Sequence, residues 1–276
     1  MEVKKKLLDI VRDKIRFKHY SISTEKTYLH WIKRYIFFHN KKHPIEMGKL
    51  EIEQFLYKEV LGVDLSNENI QALRAQERKH IPVVLTKEEV MKVIENINGV
   101  YNLIVLLMYG CGLRMSEVLS LRIKDIDIGF DKVYVWDSKS LKDRVIPLPL
   151  KLKQRLIVQI ETVCDIHKKD LSDGYGTVFM PYALEKKYPK SKSETKWQYL
   201  FPMTKVSKDP RSEIIRRHHI HPKTLGRNIK IASQKANIFK RVTSHIFRYS
   251  YATHLLQAGI DLRSIQELLH VRKPYM

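Results

Sequence analysis

Apolar side chains recur every three or four residues along much of this chain, which is the spacing of amphipathic helices. The first such runs occupy residues 3–18, 23–36 and 45–60. The chain then turns polar, and the charged stretch at residues 74–82 ends in proline, which is typical of a linker. The pattern therefore predicts a helical domain at residues 1–80 and a second domain at residues 81–276.

The second domain combines helical runs with a predicted β-hairpin. Thr86, followed three residues later by Glu89, is typical of a capped helix start. β-Forming residues at 132–136 and 144–148 flank a polar turn, which predicts the hairpin. Residues from about 170 to 222 carry scattered glycines, prolines and aromatic residues, which indicates an insertion. The predicted fold is mostly α with a small β-hairpin or sheet (α+β), and its further helices span 101–109, 151–167, 221–236, 244–259 and 262–269.

The composition indicates a polyanionic partner. The 276 residues include 51 Lys and Arg against 30 Asp and Glu, a formal net charge of +21. Such an excess favours nucleic acid first and an anionic membrane surface second. The two cysteines are too few for a disulfide framework or a cysteine-based zinc site. The apolar stretch at 103–108 is too short to cross a membrane, so we expect a cytoplasmic, nucleoid-associated protein.

Residues suited to binding a phosphodiester lie near predicted helix starts. Arg114 follows the glycines that end a buried helix, and Glu117, three residues later, could hold its guanidinium in place. His245 and Arg248 lie three residues apart near a helix N-terminus, where backbone N–H groups attract anions. Arg248 could grip two phosphate oxygens with its planar fork. Taken alone, each pattern more often represents an ordinary ion pair or a capped helix.

Basic residues on two other segments extend the candidate DNA surface. Lys139 lies on the predicted hairpin turn, from which it could act as general acid toward a leaving 5′ oxygen. An exposed turn lysine without such a role is the common alternative. Lys26, Lys33 and Arg34 lie beside an aromatic stripe on the second helix and could contact DNA. For Trp31 in that stripe, packing inside a small helical bundle is the favoured interpretation.

Taken together, these motifs resemble the tyrosine recombinases. The resemblance covers about residues 21–270 and rests on segment 110–117, Lys139, His245 with Arg248, and segment 265–270. It implies a helical N-terminal DNA-clamp domain and a catalytic domain whose scissile phosphate is surrounded by Arg114, Lys139, His245, Arg248 and His270. It also implies that a tyrosine hydroxyl attacks phosphorus to give a 3′-phosphotyrosyl link and a free 5′-hydroxyl, without metal or other cofactor. Homotetramers acting on DNA recombination sites are expected for the family.

Within this family, the chain is similar to the integron integrases. The similarity lies in the insertion, at residues 174–184, 187–189, 197–202 and 217–221. In that branch the insertion helps bind double-stranded or folded single-stranded recombination sites whose extrahelical bases are recognised. Trp197 and Tyr199 could therefore stack on a flipped base. The alternative is that both rings pack locally against the domain.

The sequence departs from the family pattern near its histidine and its nucleophile. Leu269 runs directly into His270, where the family has a glycine before the histidine. The family's nucleophile follows that histidine by roughly nine residues, so Tyr275 comes too soon, and Pro274 before it disfavours a helix. The N-terminal domain is also shorter than in relatives, so we expect an incomplete clamp. We therefore expect a C-terminally truncated chain with no nucleophile in place.

These observations leave different classes of function open. The leading hypothesis is an integron-type recombinase for cassette integration and excision that binds DNA but is defective in cleavage. An enzymatic alternative is that Tyr275 does reach the phosphate. A binding alternative is a non-catalytic DNA-binding remnant that occupies sites or competes with an intact integrase. A further alternative is a decayed product that folds poorly and has no function.

Overall fold

The computed structural model of this chain describes residues 6–18, 20–56, 58, 82–136, 143–181, 184–209 and 212–269. The chain divides into two compact units, Met1–Arg78 and Lys79–Met276. Three of the candidate site residues lie outside the described residues, namely Lys139, His270 and Tyr275, and so does Pro274. The residues on either side of the predicted domain boundary lie outside them too, so that boundary stays a prediction.

The N-terminal unit is helical. Its described elements are α1 at Leu7–Phe17, α2 at Ile22–Phe38, a 3₁₀ turn at Pro44–Glu46 and α3 at Lys49–Phe55. The hydroxyl of Ser21 accepts a hydrogen bond from the backbone N–H of Thr24 (3.1 Å), so α2 begins slightly before the predicted start. The single helix predicted at 45–60 is wrong in its described part. The chain is extended at Gly48, whose N–H donates to the carboxylate of Glu51 (2.7 Å) and so starts a new helix.

Aromatic packing stabilises the N-terminal unit around Phe55. Trp31, Tyr35 and Phe38 of α2 place their rings edge-on to Phe55, with centroids 6.2, 5.3 and 5.5 Å away. Trp31 remains 39% exposed, so it borders this core rather than filling it. On the same helix the guanidinium of Arg34 lies 5.0 Å from the Trp31 ring. The aromatic stripe of α2 therefore packs against α3.

Helices form most of the second unit, and α5 lies at its centre. The described helices are α4 Lys87–Glu95, α5 Val100–Gly110, α6 Met115–Ser120, α7 Leu150–Ser172, α8 Leu184–Lys187, α9 Pro222–Lys235, α10 Ser244–Gln257 and α11 Leu262–Leu269. Helix α5 contacts α4, α6, α7 and α10, which explains why it is apolar on all sides. Thr86 and Glu89 form the predicted capping box of α4, with hydrogen bonds of 3.2 and 2.8 Å. Within the described ranges, no helix is both long and apolar enough to span a membrane.

A small antiparallel sheet completes the second unit. Its strands are β1 Ile126–Asp127, β2 Lys132–Val135 and β3 Arg144–Pro147, in the order β1-β2-β3. Val135 pairs with Arg144 and Lys132 with Pro147, so the predicted hairpin is confirmed. The mostly α fold class with small antiparallel sheets is confirmed as well. The segment predicted as an insertion contains a second sheet of two short strands, β4 Ser207–Lys208 and β5 Ile215–Arg216.

The loop between α5 and α6 has space only for glycine at Gly112. Its φ is +61°, in the left-handed region that side chains rarely adopt. A Cβ atom added there would lie 2.6 Å from Leu269 Cδ2 and 2.6 Å from Tyr251 Cδ1. Helices α10 and α11 therefore pack directly against the backbone that leads into α6.

We expect Gly112→Ala to lower the free energy of unfolding by about 2 kcal/mol or more, because it combines backbone strain with overpacking. Gly226 is the matched control, since it lies inside α9 and a Cβ there meets nothing within 4 Å. Gly226→Ala should stabilise by about 0.5–1 kcal/mol. Urea unfolding of both variants measures the difference, and equal effects would contradict this account of the loop.

Candidate active site

Glu117 holds Arg114 at the start of α6. Arg114 occupies the N-cap position, and its backbone N–H donates to Oε2 of Glu117 (2.8 Å). Its Nη1 donates to Oε1 of the same carboxylate (2.7 Å). The Arg114 side chain is 21% exposed, so its remaining N–H groups can face solvent. The sequence spacing thus produces a cap and an ion pair at once.

Arg144 approaches the same carboxylate from the sheet. It opens β3, where it and Ile146 are the buried positions of the strand. Its Nη1 donates to Oε1 of Glu117 (3.0 Å) and its Nη2 donates to Oε2 (2.6 Å). This end-on, two-bond geometry is a strong form of arginine–carboxylate pairing. Sequence reasoning missed Arg144, although an arginine at an inward position of an alternating strand was a detectable signal.

Arg248 is the third arginine near Glu117 within the described ranges. It lies in the first turns of α10, with Nη1 3.8 Å from Oε2 of Glu117. Its two terminal nitrogens donate to the backbone carbonyls of Gly112 and Leu269. Burial, followed by the charge of Arg114, lowers the pKa of Arg248 to about 10. The guanidinium is therefore held by the protein itself rather than presented as the open fork expected from the sequence.

Electrostatics keep Glu117 ionised in this environment. Burial alone would raise the pKa of its carboxyl, but the hydrogen bonds from Arg144 and from Arg114 outweigh that effect and lower the pKa to about 2. Even so, one negative carboxylate cannot balance the guanidinium groups of Arg114, Arg144 and Arg248. This group of side chains, which we call the Glu117 cluster, carries a surplus of positive charge.

His245 lies at the second position of α10 and is exposed. Arg248, three residues later, is buried, so the two side chains differ in environment although they belong to one helix end. Thr243 is the N-cap residue of α10, and its side chain makes no capping hydrogen bond. The structure thus brings Arg114 and Arg248 together with Glu117. His245 lies on the helix that carries Arg248, while Lys139 and His270 fall outside the described residues.

The segment predicted as an insertion contacts the rest of the second unit through Arg122, just after α6. Its Nη1 donates to the carbonyl of Trp197 (2.6 Å), and its Nη2 donates to the carbonyl of Phe179 (2.7 Å). Its guanidinium lies 4.6 Å from the centre of the Tyr199 ring. The Tyr199 ring is 7% exposed and packs edge-on to His219 at 5.2 Å. Stacking of Tyr199 on a base would require the ring to leave this packing.

Beside this attachment lies a cleft of about 540 Å³ whose lining includes Glu117, Trp136 and Trp197. The ammonium of Lys124 lies 4.9 Å from the Trp136 ring and 4.6 Å from the Trp197 ring. The carboxylate of Asp125 accepts hydrogen bonds from Lys124 Nζ (2.8 Å) and Trp136 Nε1 (2.8 Å). We call this space the aromatic cleft; it combines flat apolar walls with a cation.

On the N-terminal unit, Lys26 and Lys33 are exposed on α2, as the sequence suggested for DNA contacts. Arg34 is half-buried beside Trp31. Among the described residues, no group of three or more His, Cys, Asp or Glu side chains is placed to hold a metal ion.

Comparisons with known proteins identify relatives of both units. Residues 83–273 match the model of the phage integrase family, and residues 7–66 match the phage integrase N-terminal SAM-like domain. An integrase/recombinase of Escherichia coli is 37% identical over 289 residues, covering 96% of this chain and 85% of that protein. The tyrosine recombinase XerA of Pyrococcus furiosus is 35% identical over 207 residues, covering 74% of this chain and 58% of that protein. A crystal structure of XerA recombinase aligns with a TM-score of 0.46 and 22% identity, covering 95% of this chain and 88% of that chain.

The chain therefore belongs to the phage integrase family, whose members are tyrosine recombinases that carry out site-specific DNA recombination. The family expected from the sequence motifs is confirmed. These matches do not distinguish the integron branch from other members of the family, and they do not test the expected truncation. Both stay predictions.

We expect Glu117 to contribute stability that depends on pH. Its pKa falls from 4.5 to about 2 on folding, so the contribution is present above about pH 5 and is lost as the pH falls towards 2. At about 1.4 kcal/mol per pKa unit, its size is on the order of 3 kcal/mol.

Glu117→Gln should therefore lower the free energy of unfolding at pH 7. The difference in this free energy between the variant and the wild type should disappear as the pH approaches 2. Urea unfolding at several pH values measures this, with Glu161→Gln on the exposed side of α7 as the matched control. A Glu117→Gln effect that is constant from pH 7 to pH 3 would contradict the assigned ionisation.

Proposed function

We propose that this chain is an integron-type site-specific recombinase that binds one DNA phosphodiester at the Glu117 cluster but is defective in cleavage, because Tyr275 does not supply the nucleophile. The observation that carries the proposal is the surplus of positive charge around Glu117. A buried group of arginines is stable only if anions compensate it, and Glu117 compensates it in part. A phosphodiester beside Arg114 would supply the missing charge and the acceptor oxygens.

Each candidate residue has a specific role in this proposal. Arg114 donates to non-bridging oxygens with the N–H groups that Glu117 leaves free. Arg248 is buried and its terminal nitrogens donate to the carbonyls of Gly112 and Leu269, so it would donate to the phosphate only after DNA binding displaces those carbonyls. His245, exposed at the start of α10, donates to the same oxygens. Together these groups would stabilise the charge that develops on the pentavalent phosphorus.

The remaining roles rest on the family resemblance. In the resemblance, Lys139 protonates the leaving 5′ oxygen, and His270 is one of the residues that surround the scissile phosphate. In the reaction that the resemblance implies, a tyrosine hydroxyl attacks phosphorus, the bond to the 5′ oxygen breaks, and the 3′-phosphotyrosyl link passes the strand to another 5′-hydroxyl. This exchange conserves phosphodiester bonds and uses no cofactor. Homotetramers on the nucleoid would bring the exchanging strands together.

The proposed domain arrangement divides the DNA contacts. Residues 1–80 act as the clamp, with Lys26, Lys33 and Arg34 of α2 facing the phosphate backbone. Residues 81–276 act as the catalytic domain, and the insertion at about 170–222 adds recognition of the site. The support for the clamp is the exposure of the two lysines together with the family match of residues 7–66.

Recognition of an extrahelical base is assigned to the aromatic cleft. A volume of about 540 Å³ accommodates a flat base between the indoles of Trp136 and Trp197. Lys124, which now lies over both rings, could pair with the flanking phosphate once a base replaces it. Trp197 is the preferred stacking partner because it is partly exposed, whereas Tyr199 is buried and packs against His219.

We expect Trp197→Ala to weaken binding of a DNA hairpin carrying an extrahelical base by about tenfold or more, the scale of one aromatic–base stack. Binding of a fully paired duplex of equal length should not change. Fluorescence anisotropy at one fixed salt concentration measures both, since phosphate contacts depend on salt.

Tyr188→Ala is the matched control, because Tyr188 is an exposed aromatic of the insertion outside the described lining of the cleft. Trp197→Phe, which keeps an aromatic face, should retain most of the preference for the extrahelical base. Equal losses on both DNAs would refute the assignment of the cleft.

A second candidate function is DNA binding without cleavage, as a remnant that occupies sites or competes with an intact integrase. The supporting observation is the position of Tyr275, five residues after His270 and directly after Pro274. Because proline disfavours a helix there, we propose that Tyr275 does not reach the phosphate as nucleophile.

We therefore expect no covalent adduct when a polypeptide of these 276 residues is incubated with a nicked hairpin site that traps the phosphotyrosyl intermediate. Denaturing gel electrophoresis is the measurement, and a gel-shift on the same DNA verifies that the site is bound. A robust adduct that disappears in Tyr275→Phe would overturn this expectation and favour the enzymatic alternative.

A further inference from the structure

We propose that Arg144 is a positioning residue for the phosphate site: by fixing the carboxylate of Glu117, it fixes the direction of Arg114. The inference rests on the proposed function, because it assigns Arg144 a role in the phosphate binding proposed for Arg114. It adds a residue that the sequence motifs did not single out.

The first argument is how the oxygens of Glu117 are shared. Oε1 accepts from Nη1 of Arg114 (2.7 Å) and from Nη1 of Arg144 (3.0 Å). Oε2 accepts from the backbone N–H of Arg114 (2.8 Å) and from Nη2 of Arg144 (2.6 Å). Each oxygen thus connects the two arginines, and a rotation of the carboxylate would break bonds to both.

The second argument is that the ion pair between Arg114 and Glu117 would not by itself fix the direction of the Arg114 guanidinium. Pairs three residues apart on a helix contribute little, and long side chains exchange between several geometries. The pairing of Arg144 is different, because both of its terminal nitrogens contact the carboxylate and its side chain is 3% exposed. Such a planar, buried fork specifies both the position and the plane of the carboxylate.

The third argument separates positioning from direct contact. The 3% exposure of Arg144 leaves no surface for a DNA phosphate, whereas Arg114 is 21% exposed. Arg144 also belongs to β3, where it pairs with Val135 of β2. The direction of Arg114, at the start of α6, is therefore set relative to the sheet rather than by its own helix.

The test is a double-mutant cycle on DNA affinity, which needs no cleavage. The probe is the DNA hairpin with an extrahelical base, and anisotropy at one fixed salt concentration gives the dissociation constant. Arg114→Ala should weaken binding by about tenfold or more, the scale of a charge-assisted hydrogen bond. Arg144→Ala should weaken it comparably, and the double variant should bind no more weakly than Arg114→Ala alone.

A purely structural role for Arg144 predicts a different result, namely two losses that multiply in the double variant. Arg144→Lys keeps the positive charge but lacks the planar fork. Its DNA affinity should lie between those of the wild type and Arg144→Ala, and in the Arg114→Ala background it should have no effect. If circular dichroism shows that Arg144→Ala is unfolded, Arg144→Lys replaces it in the double-mutant cycle. Arg155 is an exposed arginine of α7, and Arg155→Ala is the control. It should leave the DNA affinity unchanged in both the wild-type and the Arg114→Ala background.

The outcomes separate this inference from the proposed function. If Arg114→Ala leaves affinity unchanged, the phosphate site itself lies elsewhere and the proposed function fails. If Arg114→Ala weakens binding but the Arg144 variants have no effect, or an effect that multiplies, the site stands and the positioning role is wrong. The expected result is that the Arg144 variants lower DNA affinity when Arg114 is present and cause no further loss in the Arg114→Ala background.

Discussion

The structure of the candidate site depends on the ionised carboxylate of Glu117, buried between arginines. Burial opposes its charge, and the fork of Arg144 together with the backbone and side chain of Arg114 stabilises it. The same bonds make the carboxylate a rigid support for guanidinium groups that would otherwise repel one another. Because the arginines outnumber the carboxylate, the support remains short of negative charge, which suits a phosphodiester.

The fold delivers these groups from separate elements. Arg114 comes from the loop before α6, Arg144 from the first position of β3 and Arg248 from α10. Gly112 permits α10 and α11 to approach that loop, and its carbonyl accepts from Arg248. The site therefore exists only when the core around α5 has formed, so packing and the proposed phosphate binding depend on the same contacts.

Local patterns predicted much of this arrangement. The hairpin, the capping box of α4 and the pairing of Arg114 with Glu117 follow from spacings of a few residues, which sequence can reveal. The break at Gly48 shows how a single glycine divides an apolar run that spacing alone reads as one helix. The partnership of Arg144 with Glu117 joins residues 27 positions apart, and no local spacing encodes it. The packing of Arg122 over the Tyr199 ring likewise joins residues that are distant in sequence, so no local spacing predicts it.

The most direct measurement is an experimental structure of the protein bound to a DNA recombination site. The account predicts a phosphodiester within hydrogen-bonding distance, about 3 Å, of the Arg114 guanidinium. It also predicts that Glu117 still lies between Arg114 and Arg144 in that complex. A DNA backbone that passes elsewhere, with Arg114 paired to Glu117 alone and facing solvent, would contradict it.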